Sequence, residues 1–175
     1  MGIQYASLDD VTRGYMLQES NVGGHYQSPR QTDRGLIDWV PLLNQAIQSH
    51  NDDWLGAELV QRDYLRDQEP FKTKSGMSWR RINKPHAAQM LAEGEFNRFY
   101  LRGLCLRAAN ENKPSLLIYR GKAVTTPRPE SEAKIGTQIE IHGLLEVLRS
   151  NDFVSVDAAF AIPSGPNSGL TARLP

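Results

Sequence analysis

Cysteine occurs once in the 175 residues, as Cys105. That excludes an intramolecular disulfide framework and any zinc site built on several cysteines. A reducing, cytoplasmic interior is the expected compartment. No apolar run approaches the roughly 20 residues that span a bilayer, and residues 1–5, Met-Gly-Ile-Gln-Tyr, lack the basic start and apolar core of a secretory signal. A membrane is therefore not an expected partner. Histidine is also scarce. His25, His50, His86 and His142 stand alone, none paired at i+3 or i+4, so surface or capping roles explain them better than metal ligation. The phosphate-cradling G-x-x-x-x-G-K-[ST], the dinucleotide G-x-G-x-x-G and the nucleophile elbow G-x-S-x-G are all missing. No cofactor and no metal are expected.

What is present is an ordinary globular composition, 39% hydrophobic and 23% charged, long enough for one compact domain. The formal net charge is zero, yet the signs are segregated. Residues 1–71 sum to −6, residues 72–134 to +8 and residues 135–175 to −2. A local field attracts a charged partner even when the total vanishes. The chain divides into an acidic helical region over residues 1–68, a linker or mobile loop over 69–78, and a basic-to-neutral α+β region over 79–175.

The spacing predicts a short helix from Ser7-Leu8-Asp9-Asp10, a capping-box variant, to about Gln18. Leu36, Trp39, Val40, Leu43, Ala46 and Ile47 repeat at helical intervals. Pro41 suggests that this second helix starts near Asp38, with the ring in the first turn. Asn51 or Asp52 caps a third helix running to about Asp67 and closing an αα-hairpin. Asn83 caps a segment with an early Pro85, and after Gly94 the stretch 96–109 is apolar around most of its circumference. Such a helix belongs in the centre of a fold. Leu116-Leu117-Ile118-Tyr119 reads as a strand, residues 125–136 as a polar loop, residues 142–149 as a helix, and residues 153–162 and 170–174 as two further strands. The fold class is α+β: a helical N-terminal half, an αα-hairpin plus central apolar helix, with a small C-terminal β-sheet.

The chemical motifs are sparse. Cys105, amid Leu104 and Leu106, is placed as a buried small hydrophobe rather than a nucleophile. Residues 165–169, bounded by Gly165 and Gly169, suit a backbone anion nest, and suit a plain turn better. Arg120 at a strand end, followed by Glu130 and Glu132, is similar to the paired elements of mono-ADP-ribosyltransferases. In that family the resemblance implies an arginine holding the dinucleotide and a glutamate orienting the acceptor. There the elements lie far apart with a serine-bearing strand between them; here about ten residues separate them, and the roles are not carried over. Glu132-Ala133-Lys134 offers the E-x-K half of a nuclease motif in a proline-rich setting. Arg120, Glu130 and Glu132 are expected to be structural or interfacial.

The basic segment carries more. Lys72, Lys74, Arg80, Arg81 and Lys84 cluster around Trp79, and Arg98 and Arg102 share one helical face. An interaction surface is expected from Arg80, Arg81, Lys84, Arg98 and Arg102 together with the acidic Asp52, Asp53, Glu58 and Asp63, facing each other within one chain or between copies. The function expected from these features is that of a non-enzymatic structural or interaction protein, a subunit of a larger assembly such as a phage-like virion head, neck or tail component, with other protein subunits or its own copies as partners. The alternative is a nucleic-acid-associated protein using the 72–134 stretch, with Trp79 and Tyr100 as stacking groups. A small ADP-ribosyltransferase- or nuclease-like enzyme is the third reading.

Overall fold

Asp9 accepts a hydrogen bond from the Thr12 amide at 3.0 Å and starts α1 (Asp10–Val22). The computed structural model describes residues 1–150, 152–163 and 167–175. Side-chain oxygens cap the next helices in the same manner. Thr32 caps α2 (Asp33–Ser49) and Asn51 caps α3 (Asp52–Gln61). Each satisfies an amide that the first helical turn leaves without a partner. α2 begins five residues earlier than Pro41 suggested, and Pro41 lies inside it. The ring is tolerated there because Pro41 is exposed and Ile37, whose carbonyl loses its amide partner, is 73% exposed, so water can take the place of that amide.

Residues 69–78 are not a linker. They make up most of an antiparallel hairpin, β1 (Gln68–Thr73) and β2 (Gly76–Arg81), closed by a two-residue turn at Lys74 and Ser75. The chain then enters α4 (Lys84–Asn110), capped by Asn83 on the His86 amide at 3.2 Å with Pro85 in the first turn. α4 runs unbroken for 27 residues through Gly94. It is the central element. α1 and α3 lie along it, α6 (Ile141–Arg149) covers a further side, and Phe96, Phe99, Tyr100, Leu101 and Leu104 have no exposed surface. Cys105 is buried as expected, and burial pushes its thiol up to about 12.

α1 and α4 touch at Gly103, where a Cβ would come within 2.7 Å of the Met16 backbone nitrogen. Beside the helices lies a three-stranded antiparallel sheet in the order β4-β3-β5, with β3 (Ser115–Arg120) between β4 (Gln138–Glu140) and β5 (Leu170–Arg173). Where the two layers meet, Asn97 of α4 donates to the Leu170 carbonyl at 2.9 Å and accepts from the Thr171 hydroxyl at 2.7 Å, tying sheet to helix. The architecture is α+β, helices first and a small C-terminal sheet last. Further elements differ from expectation, β4 among them. Residues 129–132 form the short helix α5 (Pro129–Glu132) within the polar loop. The stretch 153–162 holds the helix α7 (Val156–Ala159) rather than a strand, because Ser155 caps the Ala158 amide and overrides the Val/Ala/Phe composition.

Candidate interaction surface

The expected ridge of Arg98 and Arg102 does not exist as a surface. Both side chains are buried, Arg98 at 2% and Arg102 at 1% exposure. The helical spacing did place them on one face, but the C-terminal end of α1 and the end of α6 cover that face. Arg98 donates to Glu95 at 2.7 Å and to the Leu148 carbonyl at 3.1 Å, and also reaches the Gly24 carbonyl. Arg102 donates to Glu19 at 2.9 Å and to the Gly23 carbonyl at 2.9 Å. Arg149 pairs with the other oxygen of Glu19. Burial pushes the Glu19 carboxyl up, but the hydrogen bonds from Arg149 and Arg102 outweigh it and hold the group below its ordinary range. Arg98 and Arg102 also fasten carbonyls at the end of α1, where a helix leaves acceptors without amides. Tyr100, expected as a stacking group, is wholly buried, and its hydroxyl accepts from the Ser7 amide at 3.2 Å.

The remaining expected surface residues are dispersed. Lys84 bridges Asp63 at 2.6 Å and Asp67 at 2.7 Å, so one of the anticipated acid–base pairings forms within the chain. Glu58 pairs with Arg62 at the end of its own helix at 2.6 Å, and Asp53 lies 3.6 Å from the Met1 amine. Asp52 is buried. Its Oδ2 accepts from the Ile3 amide at 2.9 Å, while Oδ1 has no hydrogen-bond partner. Burial, then the charges of Asp53 and Glu93, push it up to about 6.

Arg80 and Arg81 sit on the hairpin, and there a surface does form. Cross-strand partners share a face of a β-ribbon, so the register sorts the side chains into two sets. The inner set contains Glu69, Phe71 and Arg80. Glu69 accepts from Arg30 at 2.6 and 2.9 Å and from Arg80 at 2.8 Å, while the Arg80 guanidinium lies 5.6 Å from the Phe71 ring. Those contacts hold the ribbon against the loop between α1 and α2. Backbone bonds from Ile82 to Asp67 at 2.9 Å and from Arg66 to Arg30 at 2.8 Å fix its root.

The outer set pairs Gln68 with Arg81, Pro70 with Trp79 and Lys72 with Met77. All six are exposed, Trp79 at 65% and Met77 at 68%. Among the named helices and strands, each strand of the ribbon packs chiefly on the other. Among the described residues, no carboxylate pairs with Lys72, Lys74 or Arg81, and the outer set contains no acid. The result is an apolar strip flanked by cations that form no ion pair among the described residues, Arg81 lying near enough to Asp67 for its charge to help hold that carboxyl below its ordinary range. Lys72, Lys74, Trp79 and Arg81 belong to the expected basic cluster; Met77 and Pro70 join them on this face. The Lys74-Ser75 turn followed by Gly76, between two six-residue runs, is the sequence signal for it.

A second feature is a cleft of about 410 Å³ between the N-terminal half of α4 and the loops after β3 and before β5, with His86, Gln89, Glu93, Lys122, Arg128 and Ser168 in its walls. Its cations are already committed: Lys122 pairs with the buried Glu93, and Arg128 with Asp157 at 2.8 Å. Arg120 and Glu132 neutralise each other at 2.5 Å, and Arg120 also donates to the Ser131 hydroxyl at 3.1 Å. Glu130 is exposed on α5. The anion nest weighed for residues 165–169 includes residues 165 and 166, which lie outside the described residues. Among the described residues no group of three or more His, Cys, Asp or Glu side chains is placed to hold a metal ion, and no helix is long and apolar enough to cross a membrane.

No protein-family model, curated protein or solved structure matches the chain.

Proposed function

We propose that this is a non-enzymatic interaction protein, a subunit that docks onto a larger anionic partner through its β1–β2 arm. The observation that carries the reading is the outer face of the ribbon: Trp79, Met77 and Pro70 exposed together, with Lys72, Lys74 and Arg81 in no ion pair among the described residues. A tryptophan costs little entropy to immobilise and offers a large contact area, which is why such residues anchor interfaces. The folded body supports the arm rather than competing with it, because the acids and bases expected to drive head-to-tail self-assembly are largely consumed inside the chain, Arg102 by Glu19 and Arg98 by Glu95. Arg120 and Glu132, the enzyme-like pair, are likewise occupied with each other.

The test is retention on immobilised heparin, a generic polyanion. The wild-type chain should be retained at low salt and eluted as screening shortens the Debye length. Replacing Lys72, Lys74 and Arg81 together by glutamate should abolish retention without changing the far-ultraviolet circular dichroism. Unchanged retention in that variant, or none in the wild type, would overturn the reading.

A further inference from the structure

Resting on that reading, we infer that the outer face of the β1–β2 ribbon is a binding site for single-stranded polynucleotide, with Trp79 as the stacking platform and Lys72, Lys74 and Arg81 as phosphate contacts. The register sets the geometry. Trp79 lies midway along the outer face, with the Gln68–Arg81 pair on one side and the Lys72–Met77 pair on the other. Residues two apart on a strand are separated by about 6.5–7 Å, so the indole sits about that far, along the ribbon, from a cation in either direction. Lys74 extends the row into the turn. A base laid on the indole would thus have cationic groups toward both of its flanking phosphates. Aromatic platforms interleaved with cations are the general means of holding single strands without reading sequence.

The chemistry favours this occupant over an acidic protein segment. Carboxylates would satisfy Lys72, Lys74 and Arg81, but would leave the 65%-exposed Trp79 to whatever apolar group the segment brought. A polynucleotide supplies an anion and a π-face in every residue. Edge-to-edge pairing with another strand is blunted along β1, where Pro70 removes a backbone donor. Duplex presents its bases already stacked, so it can use the cations but not the indole.

The experiment measures anisotropy of fluorescein-labelled oligothymidylate and oligouridylate of about 20 nucleotides, longer than the roughly 4–16 that single-strand sites commonly cover. Binding is expected at about 50 mM salt, falling steeply by about 200 mM. Trp79→Ala should weaken it by roughly 5- to 150-fold, the loss of one stacked base, and Trp79→Phe should restore part of that. Lys72→Ala and Arg81→Ala should each reduce the salt slope by about 0.7. Lys134→Ala, away from the arm, should change nothing. The two oligonucleotides distinguish DNA from RNA as the source of the strand. Binding that ignores Trp79→Ala, or a duplex of equal length bound as tightly as the single strand, would overturn the inference. If arm-dependent heparin retention persists while both oligonucleotides fail to bind, the polynucleotide assignment falls and the anionic-partner reading stands. If arm-dependent retention is also absent, both fall.

Discussion

Glu19 and Arg102 meet at 2.9 Å with neither side chain more than 1% exposed, joining α1 to the middle of α4 across 83 positions of sequence. Arg149 approaches the same carboxylate from α6. One acid therefore neutralises cations from two other helices.

Removing that charge should be costly. Glu19→Gln leaves Arg102 buried without a counter-charge and should destabilise the fold by about 3–5 kcal/mol. Arg102→Met should cost less, because Glu19 keeps Arg149 and the aliphatic replacement needs no partner. The double variant should be more stable than the sum of the two losses implies, a coupling readable from urea midpoints in a double-mutant cycle. Additive losses would show that the pair is energetically idle.

Two glycines of one helix should respond with opposite sign. A Cβ added at Gly94 meets no atom within 4 Å, so Gly94→Ala should gain up to about 1 kcal/mol from helix propensity. Gly103→Ala would drive its methyl into the Met16 backbone and should lose about 1–3 kcal/mol. Thermal melts of both variants check the pair.

Asp52 gives a pH signature. Its folded-state value of about 6 lies above the ordinary 3.8, so the protonated form is favoured by folding. The stability it contributes is fully present below about pH 4 and is lost as pH rises through about 6, amounting to about 2–3 kcal/mol. Asp52→Asn should flatten that part of the stability profile and raise the melting temperature at neutral pH. An unaltered slope between about pH 4 and 6 would show that another group sets it.

The arm should be indifferent to its own outer side chains. Trp79→Ala and Met77→Ser remove exposed groups with no packing partner in the body, so each should alter stability by no more than about 0.5 kcal/mol. A loss of several kcal/mol in either variant would mean that these residues serve the fold rather than a partner.

Local signals in the chain are readable and distant ones are not. Asn51 and Asn83 announce their helices because a cap acts within three residues, and the apolar stretch 96–109 announces its own centrality. The hairpin is obscured because burial in it does not follow hydrophobicity: β1 alternates exposed with half-buried residues, but the half-buried set includes Glu69 and Thr73, while Met77 and Trp79 face solvent. Arg98 and Arg102 show the limit most clearly. Their four-residue spacing fixes a shared face, but Gly23, Gly24 and Leu148, which cover it, lie 50 to 79 positions away. Of the candidate surface, the right segment is legible from its charge and its tryptophan; which cations remain free is decided by Glu69, Asp63 and Asp67 in three dimensions.

Cys105 gives the molecule a clock. The residue is 1% exposed in the longest helix, and a thiol held near 12 carries almost no thiolate at neutral pH. The charges that act on it are those of Glu19, Glu140 and Arg149, on α1 and at the two ends of α6, so a reagent reaches it when these helices part from α4. The pace at which a thiol reagent consumes this one sulfur is therefore a direct record of how often the helical body opens, and any ligand that grips the arm alone should leave that pace untouched.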